Sequence, residues 1–120
     1  RFESACAAYQ DSSSPRSHAC AVTMAILYSR HLRVRIALRD IPEEMPRTVF
    51  TNASRRFLDT VTGHTIAVYR MRYFGKMRNV MVAYRSENGD VVLITIHPLK
   101  AGQLENRLRT GRWRSLEMRY

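Results

Sequence analysis

Residues 54–98 read SRRFLDTVTGHTIAVYRMRYFGKMRNVMVAYRSENGDVVLITIHP. Four segments rich in β-branched and aromatic residues are separated here by pairs of residues that favour tight turns. The turn pairs are Thr62-Gly63, Gly75-Lys76 and Asn88-Gly89. The Asn-Gly pair is the strongest hairpin signal, because both of its residues tolerate the positive φ that a two-residue hairpin turn requires. The stretch therefore predicts four antiparallel strands.

Alternation within the last two predicted strands indicates how the sheet is oriented. Val80, Val82 and Tyr84 alternate with Met81 and Ala83. In the last strand the alternating sets are Val92, Ile94, Ile96 and Leu93, Thr95, His97. Since successive side chains of a strand point to opposite faces, we expect one face to form the core and the other to carry polar side chains such as those of Thr95 and His97.

The residues before this stretch predict the first helices. The apolar run at 21–29 has the length of a strand, and HLRVRIALRD at 31–40 fits either an alternating strand or a short helix. As a helix it places His31, Arg35 and Arg39 one turn apart on one face. Pro42, followed by two glutamates, predicts the start of a second helix that ends at about Asn52.

The residues after the stretch predict a helix at the C-terminal end. Pro98 ends the last strand, and residues 100–110 carry Leu104 and Leu108 on one apolar stripe, with Gly111 at the position that follows a helix. The predicted fold is α+β, with one or two short N-terminal helices packed on a twisted antiparallel sheet of about four strands and a C-terminal helix.

The domain organisation follows from the length of the chain and from where its apolar residues show a regular period. One hundred and twenty residues suffice for one core. Residues 1–20 show no regular period and are predicted to be a flexible extension of a single domain at 21–120. With only two cysteines, Cys6 and Cys20, and no apolar run of membrane-spanning length, we expect a cytoplasmic protein without a membrane.

The charge predicts a polyanionic partner. Twenty basic residues face ten acidic ones, for a net charge of +10. Residues 1–20 are neutral, so 18 basic minus 8 acidic residues leave the whole excess at 21–120. Eighteen of the basic residues are arginine, whose planar guanidinium suits phosphate and carboxylate.

The chemistry that such a chain can carry is restricted by what it lacks. No nucleotide-binding loop, metalloprotease motif or clustered carboxylates are present, so the sequence predicts no cofactor and no metal. Metal-independent RNA cleavage needs only a base, an acid and cations around the phosphate. The candidate catalytic residues are His31, Lys76, Arg78, Thr95 and His97. The candidate RNA-binding residues are Arg35, Arg39, Arg70, Arg72, Tyr84, Lys100, Arg107 and Arg112.

Six motifs give the chain a resemblance to a known family. They are S-R-H, R-x-x-x-R-D-I-P-E-E, D-x-x-T-G, G-K-x-R-N-V-M-V-A-Y, V-x-L-I-T-I-H-P-L-K and N-R-x-x-x-G-R-W, within about residues 24–114. Together they resemble a family of small, uncharacterised bacterial and archaeal domains. That family is similar to the RelE-like and BrnT-like toxins of the barnase, EndoU, colicin and RelE nuclease superfamily.

The resemblance implies a toxin that cuts RNA by attack of the ribose 2′-OH and is silenced by an antitoxin, an acidic protein. It assigns the base and acid roles to His97 and His31, and the binding of the phosphate to Lys76 and Arg78. Two alternatives remain open at this point. One is a non-catalytic nucleic-acid-binding or regulatory module, and the other is an interaction module whose basic face docks an acidic tail.

Three residues have simpler structural interpretations. Trp113 is expected to close the core near the end of the last helix, although an RNA-contacting strip with the neighbouring arginines is the alternative. Asp59 is expected to order the Thr62-Gly63 turn through its carboxylate. His18 and His64 are predicted to be surface residues.

Overall fold

The computed structural model describes residues 24–116, which form six strands and three helices. The strands are β1 (Ile26–Tyr28), β2 (Arg55–Asp59), β3 (Thr65–Tyr73), β4 (Lys76–Glu87), β5 (Asp90–Pro98) and β6 (Trp113–Ser115). The helices are α1 (Arg30–Arg39), α2 (Met45–Asn52) and α3 (Gln103–Arg109). All strands lie in one sheet of order β1-β5-β4-β3-β2-β6, in which β1 and β5 are parallel and the other neighbours antiparallel.

The predicted antiparallel sheet of about four strands is therefore wrong, although the chain is α+β. The four strands expected within 54–98 are β2 to β5, but β1 and β6 extend the sheet at its two edges. Each has only three residues, too few to show a period of two. The C-terminal helix is also not the last element, because β6 follows α3 and pairs with β2.

Both faces of the sheet carry a hydrophobic core, so the prediction of one apolar and one polar face is wrong as well. We call the face that α1 and α2 cover the helical face, and the face that α3 covers the α3 face. Buried residues of the helical face include Leu32, Val49, Phe50, Tyr73, Val80, Val82, Leu93 and Ile96. Those of the α3 face are Phe57, Ile66, Val68, Met81, Ala83, Leu99, Leu104 and Trp113.

A register shift between Ala83 and Tyr84 determines which side chains of β5 lie on each face of the sheet. Ala83 pairs with Thr95 and Tyr84 with Leu93, so Ile94 is an extra residue, as in a β-bulge. Leu93 consequently belongs to the helical face, while Ile94 packs on the α3 face. The bulge separates Leu93 from Thr95 and His97, with which simple alternation had grouped it.

Helix boundaries follow local hydrogen bonding. The Ser29 side chain caps α1 by accepting from the Leu32 N–H, and Asp40 ends the helix with a φ of 54°. The second helix begins at Met45 instead of near Pro42, because the Pro42 carbonyl first accepts from the Met45 N–H in a turn. It ends at Asn52 as predicted.

The α1 helix is attached to β5 beyond the three residues that β1 covers. The Ser29 Oγ donates to the Ile94 carbonyl at 3.1 Å, and the Arg35 Nε donates to the Ile96 carbonyl at 2.7 Å. These bonds satisfy backbone oxygens that no strand in the described range covers, and they fix the helix beside the strand that carries His97.

Trp113 closes the α3 face, as the simpler interpretation predicted. The residue is 3% exposed, and its ring stacks on Phe57 with 5.5 Å between ring centroids. Within residues 24–116, none of the helices has the length and hydropathy needed to span a bilayer.

Candidate functional site

A small cavity lies between the α3 face of the sheet and the α3 helix, and we call it the α3 cavity. Its volume of about 180 Å³ is slightly larger than a cavity that holds one benzene ring. The floor is apolar and the rim is polar. The lining residues are Asp59, Thr62, His64, Ile66, Met81, Ala83, Thr95, His97, Leu99, Gln103, Arg107, Arg112 and Trp113.

His97 lies in this cavity at the end of β5, opposite Met81, and is half-buried. Burial lowers the pKa of His97 below its ordinary value of 6.5, and the charges of Arg35, Arg107 and Arg39 lower it further. The imidazole is therefore neutral near pH 7, the protonation state in which histidine can accept a proton.

Arg107 contributes the cation of the cavity. It lies on α3, half-buried, with its guanidinium carbon 5.9 Å from the centre of the Trp113 ring. Its Nε is fully buried and has no hydrogen-bond acceptor within residues 24–116. A buried donor without an acceptor is costly. Arg107 also lines the cavity, so its guanidinium is the cation that an anionic oxygen would meet there.

Arg35 and Arg39 approach His97 from the other side, because α1 lies beside β5. Arg35 is held by the Ile96 carbonyl, whereas Arg39 is exposed in the last turn of α1. The structure thus brings Thr95, His97 and Arg107 together in one cavity and places both helix arginines within electrostatic range of His97.

Asp59 is the one carboxylate that lines the cavity among the described residues, and both of its oxygens accept hydrogen bonds. Its Oδ1 accepts from Arg112 Nε at 2.9 Å and from the backbone N–H groups of Val61 and Thr62, and its Oδ2 accepts from Arg112 Nη2 at 3.2 Å. Burial raises the pKa of Asp59, but these hydrogen bonds outweigh burial and lower it to about 2. The predicted turn-ordering role of Asp59 is confirmed, and Arg112, a candidate RNA-binding residue, is engaged in the same ion pair.

His64 also lines the cavity and is half-buried, so its prediction as a surface residue is wrong. It lies two residues before Ile66 and thus continues the α3 face of β3, a pattern visible in the sequence only if that face is known to be covered. Strand rise and spacing put its Cα roughly 16 Å from that of His97.

The remaining candidate catalytic residues lie outside the cavity. His31 is exposed in the first turn of α1, and Lys76 is exposed at the first position of β4. Arg78 pairs with Met71, a residue that packs on the helical face, and its Nη2 donates to the Leu99 carbonyl at 3.4 Å. The assumed grouping of all five catalytic candidates is not observed.

The other candidate RNA-binding residues are dispersed. Tyr84 lies on the helical face, where its hydroxyl accepts from Arg56 Nη1 at 3.1 Å and its ring meets Phe50 edge-on. Arg70 and Arg72 are exposed near the end of β3, and Lys100 is exposed just before α3. No group of three or more histidine, cysteine or acidic side chains positioned to hold a metal lies within the described range.

In comparisons with known proteins, no family model matches the chain, and no curated protein or solved structure is significantly similar to it. The similarity to RelE-like and BrnT-like toxins stays a prediction from the sequence motifs.

Proposed function

We propose that this chain is a toxin-like ribonuclease that cleaves RNA without a metal ion, with His97 as its general base. The observation that carries the proposal is the α3 cavity, where a neutral, half-buried His97 lies near Arg107, whose Nε lacks an acceptor in the described part of the chain. A proton acceptor beside a pre-positioned cation is what phosphate transesterification by a ribose hydroxyl requires.

In the proposed reaction His97 takes the proton of the ribose 2′-OH as its oxygen bonds to the adjacent phosphorus. The bond from phosphorus to the 5′-oxygen breaks, and that oxygen takes a proton from a water molecule. The hydroxide that remains takes the proton from His97, which restores the neutral base. The products are a 2′,3′-cyclic phosphate and a 5′-hydroxyl. Arg107 stabilises the negative charge that grows on the phosphate oxygens, an effect that preorganised donors supply at little reorganisation cost.

This assignment uses one histidine where the sequence motifs suggested two. His31 lies outside the cavity, and His97 is the lining histidine on which the charge of Arg107 acts. The net charge of +10 supports an RNA substrate. The same charge and the motif resemblance support an acidic antitoxin as the regulatory partner.

The test is cleavage of a fluorescently labelled single-stranded RNA oligonucleotide in EDTA. We expect the wild-type protein to release a 2′,3′-cyclic phosphate product and His97→Gln to be at least about 100-fold slower, as for loss of a general base. His31→Gln is the matched control and should stay within about twofold of the wild type. An oligonucleotide with a single 2′-deoxyribose at the cleavage position should resist cleavage there.

Three results would overturn the proposal. Cleavage that needs added Mg²⁺ would assign the chemistry to a metal site, and equal loss in His31→Gln and His97→Gln would remove the α3 cavity as its location. Tight RNA binding with no cleavage would instead identify a non-catalytic nucleic-acid-binding module.

A further inference from the structure

Two hairpins of the sheet have turns of the same length but different chemistry. Asn88 and Gly89 connect β4 to β5 with φ values of 53° and 83°. Phe74 and Gly75 connect β3 to β4 with φ values of 49° and 88°. Asparagine and glycine tolerate this backbone region, whereas a bulky residue there is a strained outlier. The Phe74 turn retains an aromatic side chain at the position where asparagine fits better.

The Phe74 ring contributes little to the core. The residue is 61% exposed, and its ring meets the buried Tyr73 ring in a T-shaped arrangement, at a centroid distance of 4.8 Å and an interplanar angle of 87°. Tyr73 therefore limits the orientations of the Phe74 ring while leaving much of its surface in water. A strained, exposed and oriented aromatic side chain is typical of a binding contact.

The residues beside Phe74 indicate the charge of its partner. Residues 70–78 contain four basic and no acidic residues. Arg72 Nη1 donates to the Gly75 carbonyl at 3.1 Å, which holds one of these cations at the turn. Lys76 is exposed at the start of β4, and Met77 is 50% exposed. An aromatic ring among cations matches a single-stranded nucleic acid, whose bases stack while its phosphates pair with the cations.

We propose that Phe74 at the tip of the β3–β4 hairpin stacks on an unpaired base of single-stranded RNA. This inference rests on the proposed function, because it takes RNA as the ligand. Lys76 lies five residues along β4 from Met81, the partner of His97, which corresponds to roughly 17 Å. A bound strand would have to span at least this distance, a few nucleotides, to reach from the hairpin tip to the α3 cavity.

The experiment measures binding of a single-stranded oligonucleotide whose 2′-hydroxyls are methylated, so that cleavage cannot interfere. We expect Phe74→Asn to bind about 5- to 100-fold more weakly, the range for loss of one base–aromatic stack. Its Tm should be equal to or above that of the wild type, because asparagine suits the positive φ. Phe74→Tyr keeps the ring and should bind within about threefold of the wild type.

Leu38→Asn is the matched control, since Leu38 is 79% exposed on α1 and equally apolar. It should leave binding unchanged. Unchanged affinity in Phe74→Asn would overturn the stacking contact while leaving His97-dependent cleavage intact. A Tm loss of more than about 5 °C in Phe74→Asn, together with equal binding losses in both Phe74 variants, would assign the ring to hairpin stability and overturn the proposal.

The two proposals fail separately. Wild-type binding that Phe74→Asn weakens, without any RNA cleavage, supports the stacking contact and overturns only the catalytic function. No binding of the methylated oligonucleotide by the wild type would overturn the stacking contact, whereas the cleavage assay on unmodified RNA judges the catalytic proposal.

Discussion

On the helical face of the sheet, Arg56 donates one Nη to the Phe50 carbonyl at 2.5 Å and the other to the Tyr84 hydroxyl at 3.1 Å, with its guanidinium over both aromatic rings. On the α3 face, Arg107 lies over Trp113, and its buried Nε has no acceptor in the described part of the chain. Both arginines lie over aromatic side chains. Arg56 also donates hydrogen bonds to the fold, whereas the buried Nε of Arg107 donates none within the described residues.

The difference separates structural from functional arginines in a chain that has eighteen of them. Arg56 and Arg112 are bound to backbone or carboxylate oxygens, and removing them should cost stability. Arg107 has a buried donor in a cavity with a neutral histidine, and removing it should cost function. Net charge alone cannot make this distinction, because it counts all of them equally.

The largest expected effect is the loss of RNA cleavage in the variant Arg107→Gln. Losing a cation that stabilises the transferring phosphate should slow RNA cleavage about 100-fold, while Tm changes by less than about 2 °C. Arg109→Gln, an exposed residue of the same helix, is the control and should behave like the wild type. Equal rates for both variants would mean that the cavity is not where the phosphate binds.

Arg56→Gln should show the opposite pattern. It leaves the Phe50 carbonyl without its charged donor, which costs about 1–3 kcal/mol and lowers Tm by roughly 5–10 °C. Cleavage at a temperature where the variant is folded should be unchanged. Thermal unfolding and the oligonucleotide assay together check this. If Arg56→Gln cleaved RNA slowly but kept the wild-type Tm, Arg56 would have a functional and not a structural role, which contradicts the difference between the two faces.

The ion pair of Asp59 predicts a pH dependence of stability. The pKa of Asp59 is about 2 in the fold against 3.8 ordinarily, so its stabilisation is fully present above about pH 4 and is lost as the pH falls toward 2. The contribution is about 2 kcal/mol. Urea unfolding at several pH values should show the stability gap between wild type and Asp59→Asn narrowing below pH 4, and a constant gap would contradict the ion-pair account.

Thr95→Val should have the smallest effect. It removes a hydroxyl from the rim of the cavity with little change in shape, so we expect cleavage to fall by no more than about tenfold and Tm to be unchanged. The Tm and rate of this variant show whether the polar rim matters beyond His97 and Arg107. A loss as large as that of His97→Gln would make Thr95 a direct participant.

Residues whose signals are local were predictable from the sequence. The existence of strands β2 to β5, the Asn88-Gly89 turn, the turn role of Asp59 and the burial of Trp113 all follow from short-range patterns and turn chemistry. The Phe74-Gly75 turn was predicted one residue too late, at Gly75-Lys76. A glycine-containing pair is typical of a turn, whereas phenylalanine is not a residue from which a positive φ is predicted.

The features that were missed depend on long-range pairing. β1 pairs in parallel with a strand some 65 residues away, and β6 returns to β2 after α3. Neither pairing has a signal in three residues. The second core followed from them, because α3 and Trp113 cover a face that alternation alone had left to solvent. His64 was misplaced for the same reason, whereas Thr95 and His97 were correctly placed on one face.

Direct titration of His97 tests the central claim that the α3 cavity holds a neutral imidazole beside an anion site. NMR of the histidine ring protons, assigned with His97→Gln, should give His97 a pKa below 6.5 in the free protein. Binding of the methylated oligonucleotide should raise that pKa, because a nearby phosphate stabilises the charged ring. A His97 pKa at or above 6.5, or one that the oligonucleotide does not move, would contradict the account.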